Sequence, residues 1–223
     1  SYPVLKGLDL HVAYLPMNAI GGDYYDYFSD SPSSIGVFMA DAAGHGVPSA
    51  LIASMLCVLF NQNTDKVKEP AQLLSFMNSV IVNRFKNQYV TAGCVYIDLN
   101  KKKLMYSRAG HPSIIVYRHA EDFLYYLSPR GRIMGWSSDS EFETAEMELM
   151  KGDRIILYTD GIVECMDPEK QLFGQERFED GIKAAKHLSP VEMTKLLIEE
   201  LENWNKSSVF ADDIAIAVID VTE

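Results

Sequence analysis

Residues 90–128 read VTAGCVYIDLNKKKLMYSRAGHPSIIVYRHAEDFLYYLS. Within them TAGCVYIDL and KLMYSRAG flank a polar turn at Asn100–Lys102 and predict a β-hairpin. SIIVYRH and FLYYLS predict another directly after it, and EMELMKGDRIILYTDG adds strand, Gly-Asp turn, strand. The strands therefore come as a block. Upstream, SALIASMLCVLF follows Pro48 and is apolar all round, which predicts a buried helix. Pro70 opens a second helix, with Leu73, Leu74, Met77, Val80 and Ile81 at helical spacing. Further upstream, LDLHVAYL (8–15) alternates as a strand does, and SIGVFMA (34–40) is a short apolar run that ends at Asp41. Downstream, residues 175–204 return to helical patterns split near Ser189-Pro190, and AIAVIDV closes as a strand. Grouped strands and grouped helices predict an α+β fold, two sheets packed as a sandwich with helices outside, rather than βαβ alternation.

The chain has 223 residues, 48% of them hydrophobic, enough for the core of a single domain spanning 1–223. No Gly/Ser run, Pro-rich tract or internal repeat divides it. The apolar stretches are too short and interrupted for a transmembrane span, so no membrane contact is expected. The first residues carry no basic segment followed by an apolar one, as a signal peptide would. The three cysteines, Cys57, Cys94 and Cys165, have no CxxC spacing and fit packed thiols in a reducing cytoplasm. A net charge of −11 argues against a nucleic-acid partner, because phosphate backbones need a basic face.

Four places set Asp beside Gly or at a strand end: GGDYYD (21–26), DAAGHG (41–46), TDG (159–161) and ADD (211–213). In three of them an apolar strand runs directly into or out of the acid. Such carboxylates, gathered together, repel unless cations neutralise them. All-oxygen ligation suits Mg²⁺ or Mn²⁺ rather than structural Zn²⁺. Two such ions can share a water, lower its pKa and direct it at phosphorus. No GxSxG, reactive-cysteine loop or Walker A motif offers a side-chain nucleophile or phosphate cradle. Singly, each acid is more often a turn former, and Asp30 and Asp153 are read that way.

The set GGDYYDYF, MADAAGHGVPSAL, AGHPSIIVY, YTDGIVE, LFGQERF and DDIAIAVI closely resembles the SpoIIE/RsbU branch of the PPM-type (type-2C) phosphatases. The motifs stand in family order from residue 8 to 221. The resemblance implies a four-layer α-β-β-α sandwich with a metal pair at one end of the sheets. By position, Asp41 resembles the acid that bridges both metals, and Ala42 the residue whose carbonyl binds one of them. Asp160 and Asp212 resemble ligands completing the other metal, with Asp213 the fallback for Asp212. Asp23 resembles an acid acting partly through metal-bound water. Asp26 reads as a supporting or structural acid, His45 and His111 as structural, and Tyr24, Tyr25, Tyr27 and Phe28 as strand packing. Eukaryotic relatives place an arginine before the first acid. Here only Lys6 precedes Asp23, so phosphate recognition falls to the metals.

The resemblance further implies hydrolysis of phosphoserine or phosphothreonine on a regulatory protein of the anti-anti-sigma (STAS) type, in bacterial partner switching. It implies a domain cut from a longer sensor-phosphatase, under an upstream sensory domain, with a possible homodimer. Two rivals stand beside it: a catalytically degenerate binding or dimerisation module, and a phosphatase of small metabolites.

Overall fold

Alternation along the strands sorts this chain into four layers. The structure is a computed structural model and describes residues 5–18, 20–44, 46–85 and 88–223. The strands are β1 (Leu8–Leu15), β2 (Asp23–Ser31), β3 (Ser34–Ala42), β4 (Val90–Asp98), β5 (Lys103–Ala109), β6 (Ile114–Arg118), β7 (Phe123–Leu127), β8 (Thr144–Glu148), β9 (Asp153–Tyr158) and β10 (Ile214–Val221). They form two five-stranded antiparallel sheets, ordered β1-β10-β9-β6-β7 and β2-β3-β4-β5-β8. Odd-numbered residues of β3, such as Ile35, Val37 and Met39, meet Leu157, Ala215, Ala217 and Ile219 between the sheets. Even-numbered ones, Phe38 and Ala40, face α1 (Val47–Asn61) and α2 (Pro70–Arg84), where Leu56, Phe60, Leu73 and Met77 cover them. On the far side, Ile156, Ile216 and Val218 are covered by Phe178, Ile182, Leu197 and Leu201 from α3 (Gly174–Ala184) and α4 (Pro190–Asn205). The helix break near Ser189 is a capping box: Ser189 Oγ accepts from Glu192 N while the Glu192 carboxylate accepts from Ser189 N. This is the expected α-β-β-α sandwich.

Several local readings need correction. The chain between 23 and 31 forms a full strand, β2, beyond the strand at 8–15 and the one ending at Asp41. The helix α1 is not buried all round. It packs on one sheet only and leaves Val47, Leu51 and Val58 exposed. The strands β8 and β9 do not pair with each other: β8 lies beside β5, and β9 lies between β10 and β6 in the other sheet. Asp153, at that crossing, is no solvated turn former. It is buried and takes both Arg118 Nε (3.0 Å) and Nη2 (2.8 Å). Asp30 is ion-paired with Lys68 and accepts from Ser34 Oγ. All three cysteines are free, Cys94 and Cys165 buried and Cys57 partly so. No helix among the described residues is long and apolar enough to cross a membrane.

Candidate active site at the open end of the sandwich

The side-chain row that fills the space between the sheets ends in acids instead of hydrophobes. Asp23, the first residue of β2, lies directly opposite Asp41 near the end of β3, and Asp41 lies opposite Thr91 on β4. Two carboxylates facing each other across a strand pair are mutually destabilising as anions. From the other sheet, Thr159 and Asp160 follow β9, and Asp212 and Asp213 precede β10. Burial pushes the Asp23 carboxyl well above the usual carboxylate range, and Asp41, Asp213 and Asp212 push it further; a hydrogen bond from Thr159 opposes this. Asp41 is raised by burial and then by Asp160, Asp212 and Asp213. Asp160 is raised by burial and then by Glu164. Among the described residues, no ammonium or guanidinium is a leading cause of any of the three shifts. Asp23 Oδ2 is buried without a hydrogen-bond partner.

The adjacent acids Asp212 and Asp213 divide the work by alternation. Asp213 has the parity of Ala215 and Ala217 and turns inward. Its carboxylate accepts from the main-chain N–H groups of Met17 (2.6 Å), Gly22 (2.5 Å) and Asp23 (3.1 Å). It fastens the 17–23 loop to the last strand and so sets the start of β2. Asp212 has the opposite parity and is exposed. Two glycines permit this closeness. A Cβ at Gly161 would lie 2.1 Å from the Asp213 carbonyl, and one at Gly21 would lie 2.1 Å from Tyr14 Oη and 2.5 Å from Asp213 Oδ2. Ala42 N donates to Gly22 O (3.3 Å), and the Ala42 carbonyl lies against Gly22.

Asp23, Asp41, Asp160 and Asp212 therefore gather at one rim, with the Ala42 main chain beside them. Among the described residues no three acidic, imidazole or thiolate side chains stand close enough to hold an ion without moving. The donor set still fits hard divalent cations: it is all oxygen and includes Asp23 Oδ2, buried without a hydrogen-bond partner. Asp26 is not part of the rim. Its carboxylate accepts from Tyr24 Oη (2.6 Å), Tyr27 N (2.8 Å) and Asn61 Nδ2 (3.0 Å), tying β2 to the end of α1. His111 is buried, its Nδ1 3.2 Å from Thr91 Oγ1. His45 lies outside the described residues. Lys6 lies at the other end of the sandwich, beside Leu99, Glu148 and Val221. The aromatic run splits by parity: Tyr25 and Tyr27 pack between the sheets, Tyr24 and Phe28 against the helices. Sequence reasoning passed over Thr159, inside the TDG motif, and Tyr14. Burial, then Asp213, holds the Tyr14 hydroxyl above the ordinary tyrosine range.

Comparison with known proteins gives the family and the fold. The profile of the Stage II sporulation protein E (SpoIIE) family matches residues 31–222. The chain belongs to that family, in the SpoIIE/RsbU branch of the PPM-type phosphatases. Phosphoserine phosphatase RsbU of Bacillus subtilis is 30% identical over 164 residues, 73% of this chain and 49% of the relative. The SiaA-PP2C domain of Pseudomonas aeruginosa superimposes with a TM-score of 0.85 at 22% identity, over 95% of this chain and 85% of that one. RsbX, solved in complex with magnesium, gives 0.73 at 17% identity over 96% of both chains. The chain spans about half the length of the curated relatives it matches.

Proposed function

We propose that this chain hydrolyses phosphoserine or phosphothreonine on a regulatory protein, using two divalent cations, Mn²⁺ or Mg²⁺. The single observation that carries the reading is the gathering of Asp23, Asp41, Asp160 and Asp212 at one rim, where burial and the neighbouring carboxylates raise Asp23 and Asp41. In this reading Asp41 would hold both ions, the Ala42 carbonyl one of them and Asp160 and Asp212 the other, with Asp23 acting partly through water held there. Asp213 orients rather than ligates, since its oxygens already take three N–H groups. When bound, the ions supply Lewis-acid charge to the phosphoryl oxygens and lower the pKa of water. Thr159 steadies the Asp23 carboxylate by hydrogen bonding, and its own Oγ1 is fixed by Ala215 N at 2.9 Å. Among the described residues, Ser49 Oγ lies near the Ala42 carbonyl but donates to Gly46 O (3.0 Å), and with no GxSxG or reactive-cysteine loop in the sequence no covalent phosphoenzyme is expected.

The partner named by the family likeness is a phosphorylated STAS-type protein, with an upstream sensory domain in control, a possible homodimer, and a cytoplasmic setting. The name of the Bacillus relative, a phosphoserine phosphatase, supports the substrate chemistry. The magnesium in the RsbX structure supports the choice of ion for a shared fold. The test is turnover of p-nitrophenyl phosphate and of candidate phosphorylated STAS proteins, with Mn²⁺ and after chelation. Loss of both activities on chelation and recovery with Mn²⁺ are expected. Full activity without metal, or labelled phosphate trapped on a side chain during turnover, overturns the reading. A chain inactive in Mn²⁺ would be the degenerate binding module instead.

A further inference from the structure

Trp136 exposes 64% of its surface, yet the loop that carries it is tied down on both sides. The buried Asn78 of α2 accepts from Gly135 N (2.9 Å) and donates to Ser137 O (2.9 Å), the two neighbours of Trp136. Met134 and Val90 exchange both main-chain hydrogen bonds, at 3.0 and 3.1 Å. Gly135 has φ +88°, and a Cβ there would lie 2.1 Å from the Gln88 carbonyl, so the loop presses against the entry to β4. Met134 is fully buried and does whatever plugging the core needs. The Trp136 ring adds nothing to the core; it lies outward against Tyr89, with ring centroids 5.9 Å apart. With its donor and acceptor both paired, the buried Asn78 amide holds the main chain on either side of Trp136 in place, so the exposed indole is presented from a fixed loop.

The place of the ring says what the use is. Tyr89 O accepts from Ala43 N (2.9 Å), Val90 pairs with Ala42, and Thr91 pairs with Asp41. With strands about 4.8 Å apart and a rise of about 3.3 Å per residue, the Tyr89–Trp136 pair stands roughly 10–15 Å from the acids. An extended peptide covers that span in three or four residues. We propose that Tyr89 and Trp136 form a preset aromatic platform that seats an apolar side chain of the substrate protein, three or four residues from its phosphoserine. Rigid aromatic rings bury area with little loss of side-chain freedom, which suits a contact that must fix register before the phosphate reaches the rim. The platform rests on the phosphatase reading given above.

The experiment measures kcat/KM of the Mn²⁺-loaded chain on phosphoserine peptides in which each flanking position is varied in turn, beside p-nitrophenyl phosphate, which has no flanking residues. The wild type should prefer leucine, methionine or phenylalanine over glycine or aspartate at one position three or four residues from the phosphoserine. Trp136→Ala should lower kcat/KM for the preferred peptides about tenfold more than for p-nitrophenyl phosphate, mainly through KM. Trp136→Phe should keep most of the preference. Equal losses on both substrates in a Trp136→Ala variant shown folded by circular dichroism overturn the proposal, and if that variant does not fold, unchanged peptide preference in Trp136→Ser or Trp136→Gln does so. A flat position profile in a wild type that turns over p-nitrophenyl phosphate defeats the platform alone. A wild type inactive on p-nitrophenyl phosphate defeats the phosphatase reading and the platform with it. Conversion of a wild-type dimer to a monomer by Trp136→Ala would assign the ring to a contact between copies and overturn the proposal.

Discussion

Asp41 faces Asp23 across one strand pair and Thr91 across the next, so its charge has no neighbour to neutralise it within the sheet. Asp41→Asn should lower phosphatase activity by at least about 100-fold, the scale of losing one preorganised electrostatic group. Asp26→Asn should leave turnover nearly intact, because Asp26 serves the helix side of β2. Equal losses in steady-state assays of the two variants would show the rim to be drawn wrongly. His111 gives a pH signature of its own. Burial, and then Arg108, pulls its imidazole pKa down to about 3, so the folded chain holds it neutral. An unfolded histidine takes up a proton near pH 6.5, so the folded state binds fewer protons below that value. Stability from this site is present above about pH 6.5 and is lost as pH falls toward 3. The wild type should lose roughly 2 kcal/mol between pH 7 and pH 5 on this account. His111→Asn, less stable overall, should lack that part of the slope in urea titrations at the two pH values.

At the scale of elements, the crossing from β8 to β9 is held by the Arg118–Asp153 pair, both side chains nearly inaccessible. Asp153→Ala leaves the buried Arg118 guanidinium with only Glu121, at 3.8 Å, and the Glu148 carbonyl, and frees Met150 N as well. It should destabilise the fold by about 3 kcal/mol, read by urea denaturation. This pair also marks where sequence reading stops. The hairpins β4–β5 and β6–β7, the start of α2 at Pro70 and the capped start of α4 carry local signals, and the structure has them where those signals lie. Asp153 pairs with a residue 35 positions away, and nothing in Lys151-Gly152-Asp153 distinguishes that from an open turn. The residues of YYDYF read as strand packing, but their run is aromatic on both faces and half-buried throughout, giving no alternation to mark a separate strand β2. The strand β10 reads IAIAVIDV, apolar on both faces because both are covered, so its pattern could not say which of Asp212 and Asp213 turns inward. The acids themselves were legible as a set because three of the four motifs set an acid where an apolar strand begins or ends, and the fourth sets one beside two glycines. Their common destination needed the family resemblance, since it depends on pairings between distant strands.

For the whole molecule, ions bound at the rim would couple to global stability, because only the folded chain brings the four acids together. Mn²⁺ at about 100 times its Kd should add roughly 2.7 kcal/mol and raise the melting temperature, and Asp41→Asn should abolish that rise. Calorimetry with and without chelator is the check. The pairing of β1 with β10 has a consequence for anything tethered to this fold. Leu8 lies opposite Val221 and Thr222 N donates to Gly7 O, while Leu15 and Ile214 mark the other end of the same pair, next to Asp213. Both ends of the described fold thus leave from one pole, and the acids open at the opposite one, about 26 Å away along eight residues of strand. A leash on either end must double back over at least about eight extended residues before its own phosphoserine can reach the rim. A short leash forbids self-dephosphorylation by geometry alone, and a long one permits it only at an effective concentration set by its slack.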